Sequence, residues 1–390
     1  MSERELRIAL RRELPARLFH PRPWRALWAV PMVAAIAVGT WAVIALPLPL
    51  WAAIPLSLVV GNTYASLLHF AHEVGHGATV RSRRIQNLIL ALGLAIYWVE
   101  PTFWRAWHNR AHHGHTNEPD ADPDSVGTLA AYQRAGALHK RILLALSPSP
   151  GHWLSALYLF LTFNVHAQVV LWSKSRHQPG FDRLRRGRAG LYSLAAAASY
   201  VALAVASGWR GAILGVVVPT MIANLGVMSY IVTNHMLRPL STVRDSLTTS
   251  QSVTAHPVLD WLHFHFSHHI EHHLFPTLAS DCYPLVRARL RQRLGDRYFA
   301  PPFGRTLVAI FRTPRLYGDA VTLVDPERGT QRALADIERE LRGARAAGRP
   351  DRSGVNVEVL RRLAQEDRAD DHRDHRDDDR VPQAAVDVAR

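Results

Sequence analysis

Three runs of this sequence concentrate histidine in patterns that suit metal binding. The first is His72-Glu-Val-Gly-His76 and the second is His108-Asn-Arg-Ala-His112-His113. The third lies within His263–Pro276, HFHFSHHIEHHLFP, which holds six histidines. Histidine is the commonest metal ligand and binds through a neutral ring nitrogen. Because each run follows apolar sequence, we expect the fold to bring all three together around metal.

The spacing within the runs indicates more than one metal ion. On a helix, His72 and His76 lie four residues apart and project from one face. His112 and His113 are adjacent and cannot point the same way, so they can reach two separate centres, as can the last two histidines of the third run. A single zinc needs only three or four protein ligands, so eight or nine histidines suit two ions. Ligation by imidazole favours a redox transition metal over magnesium or calcium, which prefer oxygen.

The elements that must position these runs are long apolar blocks, which alternate with arginine-rich polar segments. This pattern predicts an all-α integral membrane protein with about four transmembrane helices in two hairpins. The predicted spans are Leu27–Leu46, Trp51–Leu68, Gly190–Gly208 and Gly211–Thr233. Two further apolar segments, Asn87–Val99 and Trp153–Trp172, are expected to be interfacial helices, because one is short and polar residues interrupt the other.

Charge sets the expected orientation. The net charge is +14, and the excess lies beside apolar spans, so lipid headgroups explain it better than nucleic acid does. We expect a basic cytoplasmic N-terminal segment at 1–26, a membrane domain at 27–324 and a charged, largely disordered tail at 325–390. Both termini and every histidine run are then cytoplasmic, the runs being carried by a helical cap. The single cysteine, Cys282, excludes a disulfide framework within the chain.

The three runs resemble the histidine boxes of the membrane fatty acid desaturase and hydroxylase family. The family boxes have the forms HxxxH, HxxHH or HxxxHH, and HxxHH, the last often followed by Leu-Phe-Pro. This sequence has the third as His269-Ile-Glu-His272-His273-Leu-Phe-Pro276. The resemblance covers roughly residues 27–324, including the order of the hairpins.

The resemblance implies an O2-dependent di-iron desaturase that introduces a double bond into a lipid acyl chain. It implies nine iron ligands: His72, His76, His108, His112, His113, His235, His269, His272 and His273. Of these, His235 matches an extra histidine after the last span, and Asn234 beside it is expected to hold a metal-bound water. The expected partners are a lipid acyl substrate, as acyl-lipid or acyl-thioester, the bilayer, and a separate electron donor of ferredoxin or cytochrome b5 type with an NAD(P)H reductase. The expected location is a bacterial cell membrane.

Several histidines and acids outside this set need a separate interpretation. His265-Phe-Ser-His268-His269 also fits HxxHH, and we favour the register at 269–273 because Glu271 and Leu-Phe-Pro match the family. His69 and His115 are expected to be supporting or surface histidines, and neither His166 nor His177 is expected to bind metal. For the aspartates at 120, 122 and 124, a proline-flanked turn is favoured over a metal cluster.

Three other functions stay open from the sequence. A lipid or hydrocarbon hydroxylase would use the same scaffold, with oxygen rebound in place of loss of a second hydrogen. His72-Glu73-Val-Gly-His76 is also HExxH, in which Glu73 would be the general base of an intramembrane zinc protease. In a desaturase Glu73 would instead orient a ligand histidine. A histidine-rich metal transporter or sensor is weaker, since the histidines lie at the ends of the spans and not at the midplane.

Overall fold

Four long apolar helices form two hairpins. The computed structural model describes residues 2–148 and 153–346 of the chain. The first hairpin consists of Pro23–Ala45 and Leu50–Gly75, and the second of Arg186–Ala206 and Gly208–His235. All four helices are long and apolar enough to cross a membrane, which confirms the predicted number of spans among the described residues.

The outer faces of the hairpins are apolar and exposed. Val38 and Trp41 on the first span and Leu194 and Val205 on the third are all more than half exposed. An exposed apolar belt of this kind is unfavourable in water and favourable in lipid. The spans and this belt indicate an integral membrane protein.

A sharply bent helix pair lies between the two hairpins. Arg83–Tyr97 and Pro101–His115 meet at 93°. At the corner Trp98 adopts a left-handed backbone conformation, φ 58°, and the Glu100 carboxylate accepts the backbone N–H of Phe103. By length and composition this pair also passes as one broken span, so the interfacial position predicted for Asn87–Val99 stays a prediction.

The second segment predicted as interfacial is a helix over Tyr158–Trp172. It packs against the fourth span, and Asn164 and Asn224 pair through their side-chain amides at 2.7 Å. Gly93 of the bent pair lies against Leu67 and Ala71 of the second span, where a β-carbon would approach within 2.6 Å of the Ala71 Cβ. These contacts fix the bent pair beside the first histidine run.

The histidine-bearing cap is built from short elements. Its helices and 3₁₀ turns follow the fourth span at Ser246–Thr249, Pro257–Leu262, His269–Leu274, Ser280–Cys282, Tyr283–Leu294, Gly295–Arg297 and Phe303–Phe311. The remaining elements outside the hairpins are Glu3–Glu13, Ala16–Phe19, Leu129–Arg134, Ala137–Leu146, Trp153–Leu157 and Lys174–Arg176. The helix Glu3–Glu13 packs on Tyr283–Leu294 and buries Leu6 and Leu10, so the N-terminal segment is part of the cap.

A small antiparallel sheet, which the sequence did not predict, follows the cap. Its strands are β1, Leu316–Tyr317, β2, Thr322–Val324, and β3, Gln331–Ala333, in that order. A helix then runs from Leu334 to Ala346, with Ile337 and Leu341 buried. Because β2 pairs with β3, the folded chain crosses the boundary predicted at residue 325. The disorder predicted for the rest of the tail concerns residues outside the described part.

Candidate metal centre

The nine histidines singled out from the sequence lie together in two groups. The first cluster consists of His72, His76, His108, His113 and His272, and the second of His112, His235, His269 and His273. Within each cluster, one nitrogen from each ring lies within 4.8 Å of all the others. Each cluster draws on more than one histidine run, so the spans and the cap must be packed together before either cluster exists.

The Nε2 atoms converge in both clusters. In the first cluster, the Nε2 of His72 lies 2.8 Å from that of His108, and the Nε2 of His113 lies 3.1 Å from that of His272. In the second, the Nε2 of His269 lies 2.7 Å from that of His235. Ring nitrogens held about 2.0–2.1 Å from one ion at right angles are about 3 Å apart. The donor set therefore fits one transition-metal ion per cluster.

Local helix geometry divides the adjacent histidines between the clusters. Residues Arg105–His112 form a π-helix, in which positions five apart are neighbours along the axis. His108 therefore pairs with His113, their Nε2 atoms 3.1 Å apart, while His112 points to the second cluster. His272 likewise enters the first cluster, and the adjacent His273 enters the second. The expectation that adjacent histidines reach two centres agrees with this geometry.

The third run contributes through a short helix, His269–Leu274. His269 and His273, one turn apart on it, both enter the second cluster, with Nε2 atoms 3.1 Å apart. The alternative register is not supported. His265 and His268 lie in a separate group with Asp260, whose carboxylate is 2.9 Å from the His265 Nδ1.

Two groups that were not predicted to act on the metal site orient the clustered histidines. The Nδ1 of His112 lies 3.1 Å and 3.3 Å from the two carboxylate oxygens of Asp122, and the Nδ1 of His272 lies 3.0 Å from the Tyr283 hydroxyl. Such bonds fix the tautomer in which Nε2 is free to bind metal. The aspartates do lie in a turn, as predicted, but Asp122 also acts on the site. The sequence did carry a signal for this role of Asp122, because a histidine that binds metal commonly pairs its other ring nitrogen with a carboxylate.

The prediction that Glu73 orients a ligand histidine is wrong. Both carboxylate oxygens of Glu73 accept from the Arg25 guanidinium at 2.9 Å, and the Ser280 backbone N–H and hydroxyl donate to one of them at 3.1 and 2.5 Å. Arg25 and Glu73 are both buried. This ion pair joins the first span, the second span and the cap. It also occupies the carboxylate that a zinc protease would need as general base.

Glu271, the acid of the third run, is held in a similar way. It is fully buried and accepts from the Ser252 hydroxyl at 2.5 Å, the Arg287 Nε at 3.1 Å and the Tyr298 hydroxyl at 2.5 Å. Arg287 belongs to the helix Tyr283–Leu294. The two acids inside the histidine runs therefore anchor the runs to neighbouring elements, and the histidines on either side are left to face the metal sites.

The electrostatics of the third run favour neutral imidazoles. Burial, and then the neighbouring histidines, lower the pKa of His269, His272 and His273 well below the usual value. Neutral imidazole is the form that binds metal. Burial raises the pKa of Asp124, but a hydrogen bond from His166 and the nearby His112 outweigh this and lower it overall. A carboxylate thus stays ionised beside His112 of the second cluster.

The remaining predicted residues occupy distinct places. Asn234 is fully buried, and its side-chain oxygen has no hydrogen-bond partner in the described part of the chain, as suits a group that awaits a water or ligand. His69 is buried and stacks on Phe266 at 4.4 Å, outside both clusters. His115 bonds Glu118 near the surface and His166 bonds Asp124. Neither belongs to the two clusters.

Comparison with known proteins agrees with this geometry. The family model for fatty acid desaturases matches residues 49–302, which include all three histidine runs. The chain is 30% identical over 278 residues to an acyl-lipid (7-3)-desaturase of Rebecca salina, an alignment that covers 61% of this chain and 58% of that protein.

Two further relatives align over shorter stretches. A delta(6)-fatty-acid desaturase of Caenorhabditis elegans is 25% identical over 232 residues, which cover 53% of this chain and 51% of that protein. An sn-1 oleoyl-lipid 12-desaturase of Picosynechococcus sp. is 28% identical over 109 residues, 28% of this chain and 31% of that protein. The chain therefore spans between about a third and three fifths of the lengths of these relatives.

Proposed function

The chain belongs to the fatty acid desaturase family, and from that premise we propose that it is an O2-dependent di-iron desaturase of lipid acyl chains in a membrane. The observation that carries the proposal is the gathering of nine buried or half-buried imidazoles into two adjacent clusters. Family membership implies an oxidoreductase that uses metal and oxygen. We propose in addition that the metal is iron, with two ions per chain. The all-nitrogen donor set supports this proposal.

The reaction needs an oxidant and a source of electrons. Two irons held by the clustered histidines would, with O2, supply the oxidation that removes two hydrogens from neighbouring methylenes. Overall, O2, two electrons and two protons convert –CH2–CH2– into –CH=CH– and two waters. The chain binds and orients both reactants and excludes bulk water from the site, while the metal supplies the oxidation.

The residues around the clusters have separate tasks in this proposal. Asp122 and Tyr283 hold the Nδ1 atoms of His112 and His272, which keeps their Nε2 atoms available as ligands. The Arg25–Glu73 pair and the Glu271 network fix the runs in place. Asn234 is proposed to hold a water at the second cluster.

We propose that the substrate is a membrane lipid. Two relatives are described as acyl-lipid and oleoyl-lipid desaturases, and the four candidate spans support a substrate within the bilayer. The clusters lie at the ends of the second and fourth spans, where a chain leaving the bilayer would reach them. The arginine-rich segments favour an orientation with clusters and cap in the cytoplasm.

An external donor would supply the electrons, and a cavity on the cap side suits its approach. This cavity, about 340 Å³, is lined by His76, His113 and His273, by the exposed Arg7 and Arg244, and by Glu3 and Asp245. Arg244 is exposed and donates to the His113 backbone carbonyl at 2.7 Å. We propose that an acidic protein of ferredoxin or cytochrome b5 type docks over these two arginines.

Lipid analysis tests the proposed function. A host that lacks the activity would express the chain or its His273→Ala variant at equal level, and mass spectrometry would locate the double bonds in each lipid class. The proposal predicts new double bonds with the unchanged chain and none with the variant. New hydroxylated chains without double bonds, or identical lipids in both cultures, would contradict it.

A further inference from the structure

A groove at the side of the first hairpin is the feature that the catalytic proposal does not use. It encloses about 420 Å³ between the first span, the second span and the cap. The wall that the first span supplies is apolar and includes Pro31, Met32 and Ala35, whereas the second span contributes the polar Asn62, Thr63 and Ser66. Its cap-level end carries Arg25 and Asp281 and is flanked by Trp24, Trp28 and Trp261. The groove is thus amphiphilic, with its polar end at the junction of membrane and cap.

We propose that this groove binds the substrate as an intact bilayer phospholipid with an ammonium headgroup, such as phosphatidylethanolamine. The headgroup would lie between Asp281 and the tryptophans, and an acyl chain would lie along the first span. The inference rests on the proposed function and adds to it the substrate's class and point of entry.

The aromatic side chains support an ammonium ligand. Trp24 and Trp261 are 59% and 61% exposed at the groove, and Trp28 packs edge-on against Trp261 with centroids 6.5 Å apart. Tryptophan faces attract ammonium groups, and a carboxylate beside them adds charge attraction. Asp281, about a third exposed, supplies that carboxylate.

The charges at the groove argue against a thioester of coenzyme A, which would need cations for its phosphates. Arg22 pairs with Asp281 at 2.7 Å, and Arg25 pairs with both Asp281 at 3.0 Å and Glu73 at 2.9 Å. The two arginines and the two carboxylates therefore balance, which leaves no excess positive charge for the several phosphates of coenzyme A. A zwitterionic headgroup can replace part of the Arg22–Asp281 pair, its phosphate against the arginine and its ammonium against the carboxylate, without leaving either charge unpaired.

The groove is joined to the metal clusters by a continuous row of side chains. Asn62 lines the groove, and its side-chain oxygen is 3.1 Å from the His263 Nε2. The ring of His263 lies 5.2 Å from that of His69, which stacks on Phe266. Phe266 in turn lies 5.0 Å from His72 of the first cluster. These contacts link the wall of the groove to the first metal cluster.

Photocrosslinking tests the proposal without requiring turnover. The purified chain would be placed in nanodiscs that contain, at equal mole fraction, phosphatidylethanolamine or phosphatidylglycerol with a diazirine in the acyl chain. A third sample would contain a diazirine-labelled acyl-coenzyme A. The proposal predicts crosslinks to 31–35 and 62–66 that are at least about threefold stronger with phosphatidylethanolamine than with phosphatidylglycerol, and weaker still with the thioester.

Matched variants make the outcome specific. Ala34 and Ala35 are neighbouring, exposed residues of the first span, and of the two only Ala35 lines the groove. Ala35→Phe should abolish the crosslink at 62–66 and Ala34→Phe should leave it unchanged. Asp281→Asn, checked for folding by size-exclusion chromatography, should remove the headgroup preference. Equal crosslinking of both phospholipids, equal effects of the two alanine variants, or preference for the thioester would each overturn the proposal.

The lipid site and the desaturase activity can be tested separately. Headgroup-selective crosslinks in a chain that makes no double bonds in any lipid would leave this site standing and remove the desaturase assignment. If the chain and its Ala35→Phe variant formed double bonds at equal rate, the desaturase assignment would stand and the proposed lipid site would be removed.

Discussion

The Nδ1 of His112 lies 3.1 Å from the nearer carboxylate oxygen of Asp122, and both side chains are almost fully buried. Asp122 also accepts the backbone N–H groups of Asn117 and Asp124 at 2.8 and 2.9 Å, so its position is set by the turn. A rigid carboxylate behind His112 determines which of its ring nitrogens faces the second cluster.

Asp122→Asn should therefore weaken metal binding without removing a ligand. We expect iron affinity to fall about 10- to 100-fold, the usual cost of losing such a partner, with activity per bound iron reduced less. Iron titration of the purified variant measures this. Asp120→Asn is the matched control, since Asp120 is exposed in the same turn and, among the described residues, its side chain pairs with no histidine. Equal effects of both changes would contradict the role given to Asp122.

The buried ion pair predicts a different result for Glu73→Gln. The change leaves Arg25 with a neutral partner, and breaking a buried pair costs about 3–5 kcal/mol. We expect a lower thermal unfolding temperature together with near-normal desaturation by the fraction that stays folded at low temperature. Glu118→Gln, near the surface, is the control. Loss of all activity in a chain of unchanged stability would instead indicate a general base, as in a zinc protease.

The nine histidines that the sequence singled out lie together in two clusters, and they could be singled out because ligand chemistry strongly restricts residue type and spacing. His72 and His76, one turn apart, could only share a face, and His112 and His113 could only diverge. The long apolar spans were predicted for a similar reason, since a bilayer needs about 20 apolar residues. The spacing within each histidine run and the length of each span depend on local pattern, whereas the grouping into two clusters depends on tertiary packing.

Features that depend on tertiary contact were not visible. Glu73 meets Arg25 across 48 positions and Glu271 meets Arg287 across 16, and nothing in the local sequence selects these partners. The π-helix at Arg105–His112 pairs His108 with His113, where ordinary helical spacing pairs His108 with His112. The three-stranded sheet was not predicted from the sequence, because its strands have only two or three residues each.

The register of the third run gives another prediction. His273→Ala should abolish iron binding at the second cluster and all activity, because it removes one of four converging imidazoles. His265→Ala should only weaken activity, because His265 contacts Asp260 away from both clusters. Iron content and lipid conversion, measured for both variants in parallel, decide the matter. The reverse ranking would move the ligands four residues towards the N-terminus.

Charge reversal at the cap cavity tests the proposed docking of the electron donor. In Arg7→Glu/Arg244→Glu, turnover with a protein donor should fall at least about tenfold, because electrostatic attraction of an acidic partner is lost. Turnover with dithionite and iron content should stay close to normal. Arg339→Glu, on the exposed face of the last helix, is the control. Equal loss with both reductants would mean that the change damages the first cluster through the Arg244–His113 contact.

Metal stoichiometry tests the central claim most directly. The chain would be purified from cells grown with iron and zinc, and inductively coupled plasma mass spectrometry would count both metals per chain. Two clusters of five and four imidazoles predict about two irons per chain, with loss of iron in His272→Ala and His273→Ala. One zinc per chain and no iron, unchanged in both variants, would contradict the di-iron account.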